Sequence, residues 1–436
     1  MNKEYYQKVY EGVLGKVIGV YLGRPFEGWL NEKIEATFGE IDRFVADEMN
    51  KPLVVSDDDI SGTLVFFKTL VDSGRYENAE YIDFADNWLN YLIEHETVLW
   101  WGGYGVSTEH TAYINLKKGI LPPESGSSAY NGKCVAEQIG AQIFIDAFGL
   151  ATPGRPDLAK RLAEKAARVS HDGEAVYGAI MQAVMISIAF EEKDIHEVIR
   201  KALKYISQDS VIAELYPFVY KLKAEGKDWR ATFACIREKY GYDKFMGGNC
   251  HMIPNHAVMA MAYIYSDNDF HRSQLIVNTA GWDTDCNAAN VGCVMGVLVG
   301  IKGINKKVDF QSFFHDRVLI PTSDGTDAVS DVLKESFKIA AAGSKIMGYA
   351  DESESLPDHH FALKGSYHGY REYGNGVKVK PALESQANGL YIQCDLKPGQ
   401  ESGIDHLSTP MLDKPGRGGC RAQLRDVRPR RTCGPR

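Results

Sequence analysis

The chain has 436 residues, 44% of them hydrophobic and 25% charged, enough for one large domain with an appendage or for two domains. A formal charge of −9 argues against a nucleic-acid surface over the main body, but allows a local pocket for a phosphate-bearing small molecule. The opening Met1 to Tyr6 lacks the basic-then-apolar order of a secretory leader, the apolar run at 13–23 is short for a membrane span, and the eight cysteines show no C-x-x-C spacing. Reduced thiols in a cytoplasmic protein without membrane contact are the expectation.

Helical signals run almost without a break to Tyr349. The first predicted helix carries Gly15, Gly19 and Gly23 at four-residue spacing, which puts them on one face as a groove for another backbone. It leads into Pro25-Phe26-Glu27. Ser56-Asp57-Asp58-Asp59 then opens an apolar helix, with Ser56 suited to the N-cap. Residues 100–132 read as a long aromatic and polar loop, a type that often binds ligands. Helices are predicted over 157–167, over the almost wholly apolar 174–190, and over 194–205, 209–225 and 228–240, each of these last three opening on an acidic residue.

Around Cys250, His251 and His256 the chain turns polar, but no fourth zinc ligand has suitable spacing, so pocket lining and N-capping by Asn255 remain the readings. Gly281-Trp282-Asp283-Thr284-Asp285-Cys286 opens another small-residue helix, in which Gly292, Gly296 and Gly300 repeat the four-residue spacing. No period-two strand interrupts this body, which is predicted all-α. Short strands are expected at 376–380 and 390–393, too few to bury a core alone, and a basic, disordered tail follows. The division is a helical domain at 1–350, an extension at 351–400 and a tail at 401–436.

The two acidic clusters carry the chemistry. A cap needs one oxygen acceptor, whereas each cluster offers several carboxylates beside a hydroxyl. Six or more oxygens from two helix starts would suit octahedral Mg²⁺ or Mn²⁺, provided that the carboxylates outweigh the helix dipoles. Residue types alone leave capping and metal ligation equally open.

In these motifs the chain resembles the ADP-ribosylglycohydrolases. That family opens with a glycine-spaced helix ending in a G-x-P-x-E-like turn, matched by Gly15, Gly19, Gly23, Pro25 and Glu27. Its first metal motif, S/T-D-D-T, is similar to Ser56-Asp57-Asp58-Asp59. Its second, G-G-D-T-D-T/S before small residues, is similar to the segment from Gly281 to Cys286. An N-G element appears as Asn131-Gly132 and a T/S-H element as Ser170-His171. The matches keep family order from Tyr5 to Tyr349.

The resemblance implies an all-α orthogonal helical bundle and a centre of two Mg²⁺ ions, with Mn²⁺ possible. Ser56, Asp57 and Asp58 would ligate from one side, Asp283 and Asp285 from the other. Glu27, Asp58 and Asp283 would be catalytic, and Asn131, Gly132, His171 and Trp282 would contact substrate. The implied activity is hydrolysis at C1 of an ADP-ribosyl or related ribosyl group, on a small molecule or a macromolecule. The alternative is a non-catalytic, crystallin-like structural or ligand-binding member. Five departures mark a divergent branch: Asp59 for threonine, Trp282 for glycine, Val20 where many members have aspartate, Lys133 to Ala136 without the arginine often found there, and Cys286 for a hydroxyl ligand. Sulfur is a poor partner for Mg²⁺.

Overall fold

The computed structural model describes residues 2–245, 248–325, 328–351, 355–357, 359–382, 389–395 and 402–406. The helices that build and support the site are labelled in chain order. They are α1 (Lys3–Gly23), α2 (Asp58–Ser73), α3 (Thr108–Lys117), α4 (Glu174–Ala189), α5 (Met252–Ser266), α6 (Phe270–Ala280), α7 (Thr284–Ile304) and α8 (Val332–Met347). The body is an all-α bundle, as expected, with a small β extension at its C-terminal side.

From Val9 to Gly23 every residue of α1 is buried. The two glycine faces found in the sequence are each other's partners. A Cβ on Gly15 would stand 2.1 Å from the Gly292 carbonyl oxygen, one on Gly19 2.1 Å from that of Ala288, and one on Gly23 2.4 Å from that of Thr284. Each step of four along α1 is met by a step of four back along α7, so the helices pack antiparallel with their backbones in contact. Glycine inside a helix costs up to about 1 kcal/mol, which this close approach offsets. The end of α1 is thereby fixed beside the start of α7. Gly300 departs from the expected face: its φ of 69° breaks the helix, and the Ile301 N–H donates to Glu11 Oε1 at 3.0 Å in the break.

A polar network lies inside this packing. Buried Lys16 pairs with Asp146 at 2.9 Å and donates to the Ile143 carbonyl at 3.0 Å. Asp146 also accepts from Gln182 at 2.8 Å and Asn290 at 3.0 Å, which ties α1 to α4 and α7. α4 buries nearly its whole length, as its composition predicts, and every residue of α5 is buried. By length and composition α7 alone among the described helices could cross a membrane, yet 72% of its most apolar stretch is buried in protein.

Three local expectations change. The loop at 100–132 contains α3, whose N-cap Ser107 accepts from the His110 N–H at 3.1 Å. Its weak amphipathic pattern hid it, because α3 is buried on most sides and keeps polar Thr108, Glu109, Thr111 and Asn115 inside. The helix predicted from 209 is Val211–Ala224, capped by Ser210 rather than Asp209. Strands β1 (Arg317–Leu319) and β2 (Val329–Asp331) pair antiparallel within the helical body, too short for a pattern to register.

In the extension, β3 (Tyr370–Tyr373), β4 (Val377–Pro381), β5 (Leu390–Cys394) and β6 (Gly403–His406) form two antiparallel pairs, β3 with β6 and β4 with β5. β4 and β5 fall where short strands are expected, and they pair with each other. β6 lies past the expected tail boundary at 401 and bonds through its backbone to β3. Residues 407–436 of the expected tail lie outside the described residues. The extension hangs on buried Asp316, which accepts from Tyr10 of α1 and from the Tyr367 N–H at 2.7 Å.

Two stability outcomes follow. In Gly19→Ala the new methyl meets backbone that cannot rotate away, so a loss at or above the usual ~1–3 kcal/mol of overpacking is expected in urea unfolding. Lys16→Met strands the Asp146 carboxylate and should cost about 3–5 kcal/mol by the same measurement, while adding Asp146→Asn should recover much of it.

Candidate metal centre and active site

At the start of α2, Asp57 is the N-cap and its Oδ1 accepts the Asp59 N–H at 2.9 Å. Ser56, the expected cap, instead pairs through its backbone with Leu319 of β1. Asp57, Asp58 and Asp59 each present an oxygen within 4.8 Å of the others. At the start of α7, Asp283 occupies the N-cap without using its side chain there. Its N–H is held by Asn255 Oδ1 at 3.4 Å, and Asp285 Oδ1 accepts the Cys286 N–H at 3.1 Å.

The two helix openings meet. Glu27, Asp283 and Asp285 form a second set of donors within 4.8 Å of one another, and Asp59, Asp285 and Cys286 a third that spans both clusters. The Cys286 thiol donates to Asp59 Oδ2 at 3.3 Å across the junction. Glu27 is positioned by backbone: the Gly28 N–H donates to the Trp282 carbonyl at 2.7 Å, and the Trp282 N–H to the Trp29 carbonyl at 2.9 Å. Gly281, at φ +85°, is required there, because a Cβ would meet the Trp29 oxygen at 2.6 Å.

Trp282, expected from the resemblance to contact substrate, is packed inside. It is 2% exposed, with a left-handed backbone (φ 71°) that turns its indole onto Phe233 at 5.3 Å and Tyr242 at 6.1 Å. It anchors the Glu27 turn and offers no ring face to a substrate. His171 is also sealed in the interior. The Ala141 N–H donates to its Nε2 at 3.1 Å, its Nδ1 bonds the Ser170 hydroxyl at 2.7 Å, and burial pushes its pKa down to about 3. Both ring nitrogens are thus engaged within the protein, and burial disfavours the charged form. Asn131 is half-buried, accepts from Asn115 at 2.9 Å and donates to the Ser125 carbonyl at 2.8 Å; Gly132 is exposed. The hydrogen bonds of Asn131 run to Asn115 on α3 and to Ser125, not to the acidic residues.

Burial dominates the electrostatics. It raises the carboxyls of Asp57, Asp59 and Asp285 well above their ordinary range, with neighbouring carboxylates adding to it. Asp283 is pushed up to about 8, by burial first and the Glu27 carboxylate second. Asp59 Oδ1 is buried with no hydrogen-bond partner. Carboxyls crowded in this way must take up protons or meet a cation, and a divalent ion would reverse the shifts. The donor set fits a metal ion.

Arg24 is the residue that sequence reasoning missed. Its guanidinium bonds Glu27, stands 3.0 Å from Asp57 Oδ2 and reaches Asp285 at 3.9 Å. The signal available was its place three residues before Glu27, one turn along the same segment. Cys250 borders the centre: its thiol is pushed up by burial first and then by Asp283, Glu109, Glu27 and Asp285. The zinc reading fails because His256 is bonded to Tyr216 and Gln142 in the core, while His251 caps α5.

Glu109, at the start of α3, is buried, bonded to the Ser107 hydroxyl at 3.2 Å, and pushed up to about 7 by burial, with Asp58 adding to the shift. A carboxyl raised on folding stabilises below its unfolded range and loses that contribution as pH rises through the folded value. Glu109→Gln should therefore match the native chain below the ordinary carboxyl value of 4.5, gain on it as pH rises towards 7, and exceed it above neutrality by on the order of 3 kcal/mol, read from denaturation midpoints.

Comparisons with known proteins agree with this geometry. The family model described as ADP-ribosylglycohydrolase matches residues 1–315. An uncharacterized protein of Archaeoglobus fulgidus is 25% identical over 295 residues, covering 65% of this chain and 85% of its own length. A solved structure described as an ADP-ribosylglycohydrolase-related protein complex superposes with a TM-score of 0.52 at 18% identity, over 79% of this chain and 99% of that one, which establishes the fold. With the glycine-packed helices, the paired acidic openings and the family match in agreement, the chain belongs to the ADP-ribosylglycohydrolase family.

Proposed function

We propose that this chain is a metal-dependent glycosidase that hydrolyses a bond at C1 of an ADP-ribosyl or related ribosyl group, through its residues 1–350. The observation that carries the reading is the convergence of Glu27, Asp283 and Asp285 with the Asp57–Asp59 turn in one acidic centre. Ser56, Asp57 and Asp58 from one helix start, with Asp283 and Asp285 from the other, would hold two Mg²⁺ ions, or Mn²⁺. Such ions supply a grip on the cis-diol of a ribose and an acidified water.

Glu27 is half-exposed at the edge of the centre, with a carboxyl raised by burial and countered by Arg24. There it would take the water's proton as the C1–O bond forms, or stabilise positive charge developing on the ring. Asp58 and Asp283 would hold the reacting groups in line. The leaving group departs with a proton. Asn131 and Gly132 retain solvent access and remain the candidates for substrate contact from their segment. The six described cysteines are all free thiols, which supports a reducing, cytoplasmic setting.

A second reading has its own observation. Arg24 supplies a fixed positive charge to Glu27, Asp57 and Asp285, as a binding or structural protein without metal would need. Hydrolysis of ADP-ribosyl and ribosyl substrates with Mg²⁺ or Mn²⁺ separates the two. Glu27→Gln is expected to lose about 10²–10⁴-fold in rate, and Asp58→Asn, Asp283→Asn or chelation to abolish turnover. Equal rates in the variants, or no turnover of any ribosyl compound, would defeat the glycosidase reading, and binding of ADP-ribose without turnover in calorimetry would support the non-catalytic one.

A further inference from the structure

The acidic centre is chemically lopsided. At one corner three carboxylates, Glu27, Asp283 and Asp285, face one another. At the other, Asp59 and Asp285 face a thiol, and all three of those groups are buried. Asp59 and Cys286 are the two positions that depart from the family's hydroxyl-bearing motifs, and they meet at 3.3 Å although 227 residues separate them. Asp59 is fully buried and its Oδ1 has no hydrogen-bond partner, a polar atom left over inside the cluster. The cations nearby are already engaged: Arg24 serves Glu27, Asp57 and Asp285, and Lys16 is paired with Asp146 at 2.9 Å.

We propose that Asp59, Asp285 and Cys286 form a cation position selective for thiophilic divalent ions of the Zn²⁺ class, beside a harder position built from carboxylates alone. This rests on reading the acidic cluster as a metal centre. Mg²⁺ takes oxygen ligands, whereas two carboxylate oxygens and one sulfur, with a fourth place open, suit Zn²⁺ or Cd²⁺. A tetrahedral ion with sulfur at about 2.3 Å and oxygen at about 2.1 Å sets its S and O ligands about 3.6 Å apart. The thiol and Asp59 Oδ2 are already near that separation, so the ion would enter with little movement. Binding replaces the S–H bond by a sulfur–metal bond and releases one proton to solvent. Asp285 would be shared between the two positions.

The test uses the full-length protein, freed of metal by chelation, with Cd²⁺ as the probe and ultraviolet thiolate-to-metal charge transfer as the readout. Titration of the native chain should give a band saturating at one equivalent. Cys286→Ser and Cys286→Thr should lose it, and Cys250→Ser should keep it. Asp59→Asn should weaken Cd²⁺ binding by more than the ~10–100-fold that even an outer-shell loss costs. Calorimetry with Mg²⁺ on the same samples tests the underlying reading separately. Mg²⁺ binding without the Cd²⁺ band, or a band that survives both Cys286 variants, overturns the thiophilic position and leaves the metal centre standing. Absence of binding by either ion in the folded native chain overturns both.

Discussion

The backbone contact between α1 and α7 is the constraint from which the site follows. Side chains normally keep helix axes 8–10 Å apart, and glycine at every fourth position removes that spacer from both helices along the shared face. Because the helices are antiparallel and Gly23 meets Thr284, the exit of α1 lies against the entry of α7. The turn that carries Arg24 and Glu27 then has one place to go, and strand-like bonds from Gly28 and Trp29 to Trp282 hold it there. A register slip of one turn would carry Glu27 away from Asp283 by about 5.4 Å.

The same contact sets the electrostatics. Two cations lie close to the buried acids among the described residues: Lys16 on α1, locked to Asp146, and Arg24 just past the end of α1, across Glu27, Asp57 and Asp285. The acids come from helix N-termini, whose dipoles favour negative charge and oppose a metal ion. Burial and mutual repulsion outweigh that help, as the raised carboxyls of Asp57, Asp59, Asp283 and Asp285 record. A site of this kind is unsettled as a set of bare carboxylates. Protons, the guanidinium or divalent ions must settle it, and each makes a different protein of the same fold.

The extension is attached to the first helix as well. Tyr10 shares Asp316 with the Tyr367 backbone, so the β pairs are anchored on the far half of α1 from Glu27. One helix thus receives the Glu27 turn at its end and the extension near its beginning.

Much was legible in the sequence because it depends on local rules. Glycine spacing announced grooves, acidic clusters before small-residue runs announced helix starts, an unbroken apolar stretch announced α4, and alternation announced β4 and β5. What stayed hidden depends on what lies opposite. Periodicity says which face of a helix is small, but not that Gly15 meets Gly292. The family resemblance implies that Trp282 and His171 contact substrate, but packing against Phe233 and bonding to Ala141 turn both inward. Arg24 carried no motif, and only the folded turn swings it into the acids. The sequence by itself determined the donors and the helices that present them. Tertiary structure decided which donors converge and which are consumed by the core, because those outcomes turn on contacts between residues far apart in the chain.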